Sequence, residues 1–396
     1  MFSIPFTDFI KILQRPKSFI EDRVDRLSSW IGLSVMFIFC TISTAGLGFG
    51  NHFECWFPAN YKDDWPKFMS SYCYVQPHFY ADISDKSVTP PQIYYFPWLP
   101  YFFFGHAIAF YIPKIFWHVF IGVFGGIDLE CILKEASLIN KATKDKDKKE
   151  KLASLSTYMT SCLGFTYGGF ASRYFLLSPT ALIFLLKKYL YVLVASFQFY
   201  IICYYIGQGN MYWGFEVLSH SLLNKISFPS RFFPLLTFCV APIAEDNIFI
   251  KQTVSCILGM NVIYEKFYVF TYFMLLGIIV ASFLSAIYYT ILFITSLRSN
   301  RVDDLLALNQ SQVPREHVEA FTHDYLGADG FLSILLIQQN FGDETARDIL
   351  KDLWNHTSPF SFSFKKKRSI PKSKCPITST PNRYAPIPMC QNENIF

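Results

Sequence analysis

Four apolar runs stand out along a chain that is otherwise polar and rich in turn residues. Trp30 to Gly50 holds 21 positions without a charged side chain. Trp98 to Phe124 is broken only by Lys114 and two histidines, His106 and His118. The third run follows Lys187-Lys188 and reads YLYVLVASFQFYIICYYIG, and the fourth is free of charge from Phe267 to Leu297, where Arg298 ends it. About 20 helical residues cross the ~30 Å hydrocarbon layer of a bilayer. Buried helices of soluble proteins rarely keep more than about 18 consecutive uncharged residues. The pattern therefore predicts four membrane helices at 29–49, 99–122, 189–208 and 267–295. Between and around them lie an N-terminus (1–28), a first outer loop (50–98), a middle loop (123–188), a second outer loop (209–266) and a tail from 296.

Composition points the same way. Of 396 residues, 52% are apolar and 16% are charged, against roughly 25% charged in a typical soluble domain. The net charge of +5 is too small to suggest nucleic acid as a partner. The first 28 residues carry five Lys/Arg and no continuous apolar core, so no cleaved leader is expected there. Lys and Arg set orientation, because they concentrate on the cytoplasmic side of a membrane. The N-terminus, middle loop and tail carry 27 of them, and the two remaining loops six. Both termini and the middle loop are thus expected in the cytoplasm, with residues 50–98 and 209–266 outside.

Each outer loop holds two cysteines: Cys55 and Cys73, then Cys239 and Cys256. An oxidising exterior makes an even set of cysteines a disulfide framework. The rival, metal ligation, usually shows close CxxC or HxxxH pairs, which these spacings lack, so no metal is expected. Four cysteines allow three connectivities, and the sequence does not choose among them. Bonds between the loops would staple them into one cap. Cys40, Cys131, Cys162, Cys203, Cys375 and Cys390 fall in spans or cytoplasm and are expected to be reduced.

Several segments carry a family likeness. Tyr95-Phe96-Pro97-Trp98-Leu99-Pro100-Tyr101, at the mouth of the second run, is similar to YYQWVPF. Tyr95, Trp98 and Pro100 match, Phe96 and Leu99 are conservative, and Pro97 replaces the usual Gln. ECWFPANY, SYCYVQ, FPLLTFC, VSCILGMNVIYEKFYVF and YLGADGFLSILLIQQNFGDETARDILKDLW follow in the same order as in that family. Over residues 20 to 356 the chain resembles the innexins, invertebrate gap-junction proteins related to the pannexins. The resemblance implies crosswise pairing of the loops, Cys55 with Cys256 and Cys73 with Cys239. It also implies that the N-terminus, with Phe2, Ile4 and Phe6, folds into the mouth of a pore. An amphipathic helix lying on the membrane surface is the other reading of those residues.

Other residues carry mechanical expectations. Pro97 and Pro100 suit a helix start, whereas Pro113 lies deep in the second run and should kink it. A static bend and a gating hinge are both open. Lys114 and His118 lie near the cytoplasmic end, where snorkelling accounts for them. The first run carries Ser34, Cys40, Thr41, Ser43 and Thr44, which suit close packing or a wet pore. The run KATKDKDKKEK, Lys141 to Lys151, reads as solvated and mobile, with attraction to anionic lipid secondary. Residues 317–356 show helical periodicity, and beyond Pro359 the composition reads as a disordered basic tail.

No phosphate-cradling loop, HExxH or paired intramembrane carboxylates occur, so an enzyme is not expected, and no cofactor. The expected fold is an all-α membrane protein with four transmembrane helices per subunit, disulfide-stapled extracellular loops and a cytoplasmic helical layer (296–358). Four helices cannot enclose a wide pore, so copies of this chain or other innexin subunits should form a ring. The expected function is a large-pore gap-junction subunit in the plasma membrane, docked to a ring of the adjacent cell. An undocked hemichannel that releases small molecules and a tetraspan adhesion or scaffold protein are the alternatives.

Overall fold

The computed structural model describes residues 19–49, 53–57, 64–76, 78–79, 92–93, 95–124, 127–142, 144–167, 178–223, 230–245, 248–294, 297–306 and 315–356. In chain order the helices are α1 (Gly32–Phe49), α2 (Asp64–Val75), α3 (Leu99–Ala109), α4 (Ile112–Phe124), α5 (Leu129–Lys141), α6 (Asp145–Tyr167), α7 (Pro179–Tyr205), α8 (Trp213–Leu223), α9 (Asn261–Ile294), α10 (Leu297–Leu306), α11 (Arg315–Ala320), α12 (Gly327–Phe341) and α13 (Asp343–His356). A helical turn, Arg23–Arg26, and a π-helical turn, Leu27–Ile31, lead into α1. The strands are β1 (Phe53–Trp56), β2 (His78–Phe79), β3 (Gln92–Ile93), β4 (Leu236–Glu245) and β5 (Ile248–Leu258). Four helical stretches are long and apolar enough to cross a membrane: Arg23–Ala45, Phe96–Val123, Pro179–Tyr205 and Asn261–Ile294.

The chain divides into two compact units. The first comprises Arg26–Pro113 and Leu190–Phe283. Its sheet has the order β1-β5-β4-β2-β3, with every pairing antiparallel. β4 and β5 form a hairpin in register from Leu236↔Ile257 to Glu245↔Ile248. β1 adds to the β5 side at Phe53↔Leu258, and β2 adds to β4 through Phe79↔Phe238. Pro242 sits where β5 is the partner of β4. Among the described residues β2 joins β4 only at Phe238, so the other side of β4 is an edge at Pro242, the position in a sheet that tolerates proline.

Within this unit the apolar helices interlock through aromatic rings. Hydrocarbon tails are as apolar as leucine, so packing and hydrogen bonds replace the hydrophobic effect as the glue between spans. Phe39 of α1 stacks on Phe267 of α9 at 4.2 Å and meets Phe103 of α3 edge-on at 5.7 Å. Phe103 in turn stacks on Tyr268 at 4.6 Å. Each such pair contributes about 0.5–1.5 kcal/mol beyond area burial. His106 Nδ1 lies 3.1 Å from Gln198 Oε1, a buried polar tie between α3 and α7. Gly32 lets α1 approach closely, since a Cβ there would stand 2.9 Å from the buried Phe110 ring.

The second unit comprises Met1–Asp25, Lys114–Tyr189 and Leu284–Phe396. Its core gathers Leu129, Ile132, Leu133 and Ala136 of α5, Leu155, Met159 and Leu163 of α6, Leu332, Leu335, Leu336 and Ile337 of α12, and Ile349, Leu350 and Leu353 of α13. Asp128 caps α5 by accepting from Cys131 N at 3.1 Å, and Gly342, at φ +91°, closes α12 where a side chain would be strained. Of the lysine-rich run, Lys141 ends α5 and Asp145 to Lys151 form the exposed start of α6, solvated as expected. Its helical register keeps the charges outward while Leu155 and Met159 turn inward. Lys148 reaches Asp348 of α13 at 2.8 Å, and that hydrogen bond raises the lysine pKa.

Candidate functional site

Candidate functional residues gather at three places, two of them expected from the sequence. In the sheet-bearing unit, Cys55 is bonded to Cys256 and Cys73 to Cys239, across 201 and 166 residues of sequence. The first bond joins register partners of β1 and β5, and the second ties α2 to β4. Cys73, Cys239 and Cys256 are fully buried, while Cys55 is partly exposed on the edge strand. The sulfurs of Cys55, Cys73 and Cys256 all lie within 4.8 Å of one another, a spacing that could hold an ion were they thiolates. Bound in disulfides, these sulfurs carry no charge for a metal to pair with. Outside the loops Cys40, Cys162 and Cys203 are thiols outside any disulfide, but Cys131, expected to be reduced, is disulfide-bonded. It is buried on the inner face of α5, a setting that the absence of a close cysteine in sequence did not signal.

The aromatic motif packs beside this sheet. Tyr95 is buried and its hydroxyl donates to Phe232 O at 2.6 Å, across 137 residues. Phe96 opens a tight turn, Phe96–Trp98, and its ring meets Tyr74 at 5.6 Å and Tyr264 at 6.2 Å. Leu99 and Pro100 are buried in the first turn of α3, and Tyr268 OH reaches Leu99 O at 3.5 Å. Trp98 and Tyr101 instead project outward, 61% and 68% exposed, the placement of amphipathic rings that seek a membrane–water interface. Further along, Trp56 is 84% exposed beside Cys55.

Pro113 is the second residue of α4, just beyond a break in the helix. Tyr111 N donates to Ile108 O at 2.9 Å, a tightened turn at the end of α3. Proline has no N–H to return to Ala109 O, so the regular helical ladder lapses there. The first run presents Thr41 and Thr44 on an exposed face, with hydroxyls donating to Ile38 O at 2.8 Å and Cys40 O at 2.9 Å. Ser43 points inward. Phe2, Ile4 and Phe6, and the tail beyond 356, lie outside the described residues.

The third place was not foreseen from sequence. In the helical unit, Lys188 Nζ lies 2.8 Å from Asp25 Oδ1 and 3.4 Å from Asp22 Oδ2. Lys187 Nζ stands 3.5 Å from Asp25 Oδ2, and Lys114 pairs with Glu21 at 3.1 Å. Lys187, Lys188 and Asp25 are almost wholly buried, and three cations balance three carboxylates. The aromatic faces of Tyr289, 4.7 Å from Lys188, and of Trp117, 5.6 Å from Lys187, add cation–π contacts. Asn340 donates to Phe19 O at 2.8 Å and Phe341 packs on the Phe19 ring at 5.1 Å, so α12 holds the start of the same segment. The doublet Lys187-Lys188 had marked the edge of a span, yet α7 begins at Pro179 and carries both lysines inside it. Carboxylates more than 160 positions away make that placement tolerable, and no local pattern could announce them.

At the head of α7, Asp329 of α12 accepts from Ser178 Oγ at 2.6 Å and from Ala181 N at 2.9 Å. Burial raises its pKa, opposed by those hydrogen bonds. A carboxylate on the first N–H groups of a helix satisfies otherwise unpaired donors and the positive end of the dipole.

Residues 21–357 match the family model described as Innexin. Among curated proteins, the chain is 24% identical to Innexin-3 of Caenorhabditis elegans over 373 residues, covering 89% of this chain and 88% of the relative. It is 27% identical to Innexin-8 of the same organism over 379 residues, covering 90% and 94%. With Innexin-12, again from Caenorhabditis elegans, it shares 26% identity over 377 residues, covering 86% and 88%. The match runs through all four apolar helices, both disulfides and the helical tail, and the chain belongs to the innexin family, the subunits of gap-junction channels.

Proposed function

We propose that this chain spans the plasma membrane four times with both termini in the cytoplasm, and that copies of it, or of it with other innexins, close into a ring around a wide pore. The Lys/Arg bias of 27 against 6 between alternate segments supports that orientation. In this reading the sheet-bearing loops face outward and meet the loops of a ring in the neighbouring cell. Ions and small metabolites then pass between two cytoplasms, with membrane lipid against the exposed apolar faces of Phe270, Val280 and Phe283. The observation that carries the proposal is the pair of disulfides that bind two loops into a single sheet. A docking surface must keep its shape before its partner arrives, and rigid cross-linking lowers the ordering cost of association. The exposed Thr41 and Thr44 supply polar groups for a wet wall, their hydroxyls already satisfied by their own helix.

The test is a dual voltage clamp on cell pairs that express this chain alone. Junctional conductance above that of control pairs supports docking of rings. Current across single membranes without coupling would assign the chain to undocked release. Silence in both, with protein at the surface, would overturn the channel proposal for the chain by itself.

A further inference from the structure

We propose that Cys55 is a site of modification by small thiols of the glutathione class, and that the two disulfides act as a relay that delivers the released thiol to Cys239. Two independent observations meet here. Accessibility singles out one sulfur, since Cys55 is partly exposed on the edge strand β1 while Cys73, Cys239 and Cys256 are closed to solvent. Proximity then connects the two bonds, because the sulfurs of Cys55, Cys256 and Cys73 lie within 4.8 Å of one another.

Thiol–disulfide exchange proceeds by attack of a thiolate on one sulfur of a disulfide, and access decides which sulfur is attacked. The incoming thiolate bonds to Cys55 Sγ, the Cys55–Cys256 bond breaks, and its electron pair stays on Cys256. That thiolate is generated in a closed site, out of reach of solvent oxidants and acids. Cys73 Sγ is its neighbour. A Cys73–Cys256 bond forms, the Cys73–Cys239 bond breaks, and Cys239 leaves as thiolate and takes up a proton. One thiol enters and one appears, two disulfides persist throughout, and no net oxidation or reduction occurs. The cross-link on α2 thereby moves from β4 to β5, and the β4–β5 hairpin loses its tie to α2 through Cys239. The modification thus changes which strand holds α2 and frees β1 from its bond to β5, without opening the cap altogether. The chemistry does not depend on which side of the membrane the sheet occupies.

The experiment uses the full-length protein in lipid nanodiscs, exposed to reduced glutathione, quenched in acid, labelled with N-ethylmaleimide and mapped by mass spectrometry of its peptides. Glutathione on Cys55, a Cys73–Cys256 linked peptide and maleimide on Cys239 should rise together. Maleimide on Cys256 with Cys73–Cys239 intact would overturn the relay, and the absence of glutathione on Cys55 would overturn the entry site. In a Cys73→Ala, Cys239→Ala double variant the relay has no acceptor, so the label should settle on Cys256. Glutathione on Cys256 with label on Cys55 in that variant would reverse the order of attack and overturn the entry site. Should the variant not fold, the wild-type map decides alone.

Discussion

Asp25→Asn tests the buried charge network most directly. Asp25 pairs with two ammonium groups, accepting from Lys188 at 2.8 Å and facing Lys187 at 3.5 Å, and all three side chains are almost fully removed from solvent. At an effective dielectric of about 20, unit charges 4 Å apart attract by roughly 4 kcal/mol. The amide keeps the shape and a carbonyl acceptor, but Lys188 is left with Asp22 at 3.4 Å and Lys187 with the field of Glu21. Removing one partner of a buried ion pair costs about 3–5 kcal/mol, because the stranded charge bears its full desolvation. At ~2–4 °C per kcal/mol for chains of a few hundred residues, the melting temperature should fall by on the order of 10 °C. The assay is a thermal scan of detergent-purified protein, read by the loss of the intact species on size-exclusion. Adding Lys187→Met to Asp25→Asn restores neutrality and should recover most of the loss. A variant that melts with wild type, or a double variant no better than the single, would refute the claim that charge balance holds this segment.

Two further outcomes follow from local geometry. Gly207→Ala should destabilise the chain by about 1–3 kcal/mol, since its Cβ would stand 2.6 Å from Asn210 O and 2.7 Å from Cys203 O, backbone atoms with nowhere to move; an unchanged unfolding midpoint would contradict this. His323 Nδ1 accepts from Arg298 Nη2 at 2.8 Å, because arginine can only donate. Burial first, then the Arg298 charge, lower the His323 pKa from 6.5, with Asp324 and Glu319 pulling the other way. A base with a depressed folded pKa contributes stability that is complete above its ordinary pKa of 6.5 and lost as pH falls through the folded value. Wild type should therefore lose stability relative to His323→Gln as pH drops from about 7.5 to about 5. Parallel pH profiles for the two proteins would rule the interaction out.

The spans were legible because membrane crossing imposes one rule on a contiguous stretch, the exclusion of charge, and that rule leaves a mark in sequence. The sheet left little. β1 is four residues long and β2 and β3 are two each, so neither alternation nor β-propensity has room to register there, while the longer β4 carries Pro242. What creates β1 is pairing with β5 about 200 residues away, fixed by the Cys55–Cys256 bond. The same holds for charge. Lys187-Lys188 reads locally as a helix flank, and only the return of Asp25 in space makes it helix interior. Tyr95 likewise shows its role only through Phe232. The lysine-rich start of α6 conceals its helix for the opposite reason. Charge density dominated the local pattern, while the apolar residues that order the helix lie later in it, at Leu155, Met159 and Leu163.

The interleaved sheet also constrains how the protein is made. Cys55 and Cys73 are synthesised long before Cys239 and Cys256, and 201 residues separate the members of one pair. At about 5–20 residues per second, the first cysteines wait roughly 10–40 s for a partner. Throughout that interval each is the other's only cysteine neighbour within the segment 50–98, with 17 residues between them. A bond between them would be local, fast and wrong. Correct closure therefore waits until β5 has been made, and any early bond between Cys55 and Cys73 must first be exchanged. Oxidative closure thus doubles as a check that the chain has been made at least through Cys256, since a product that stops earlier lacks a partner for one bond or both.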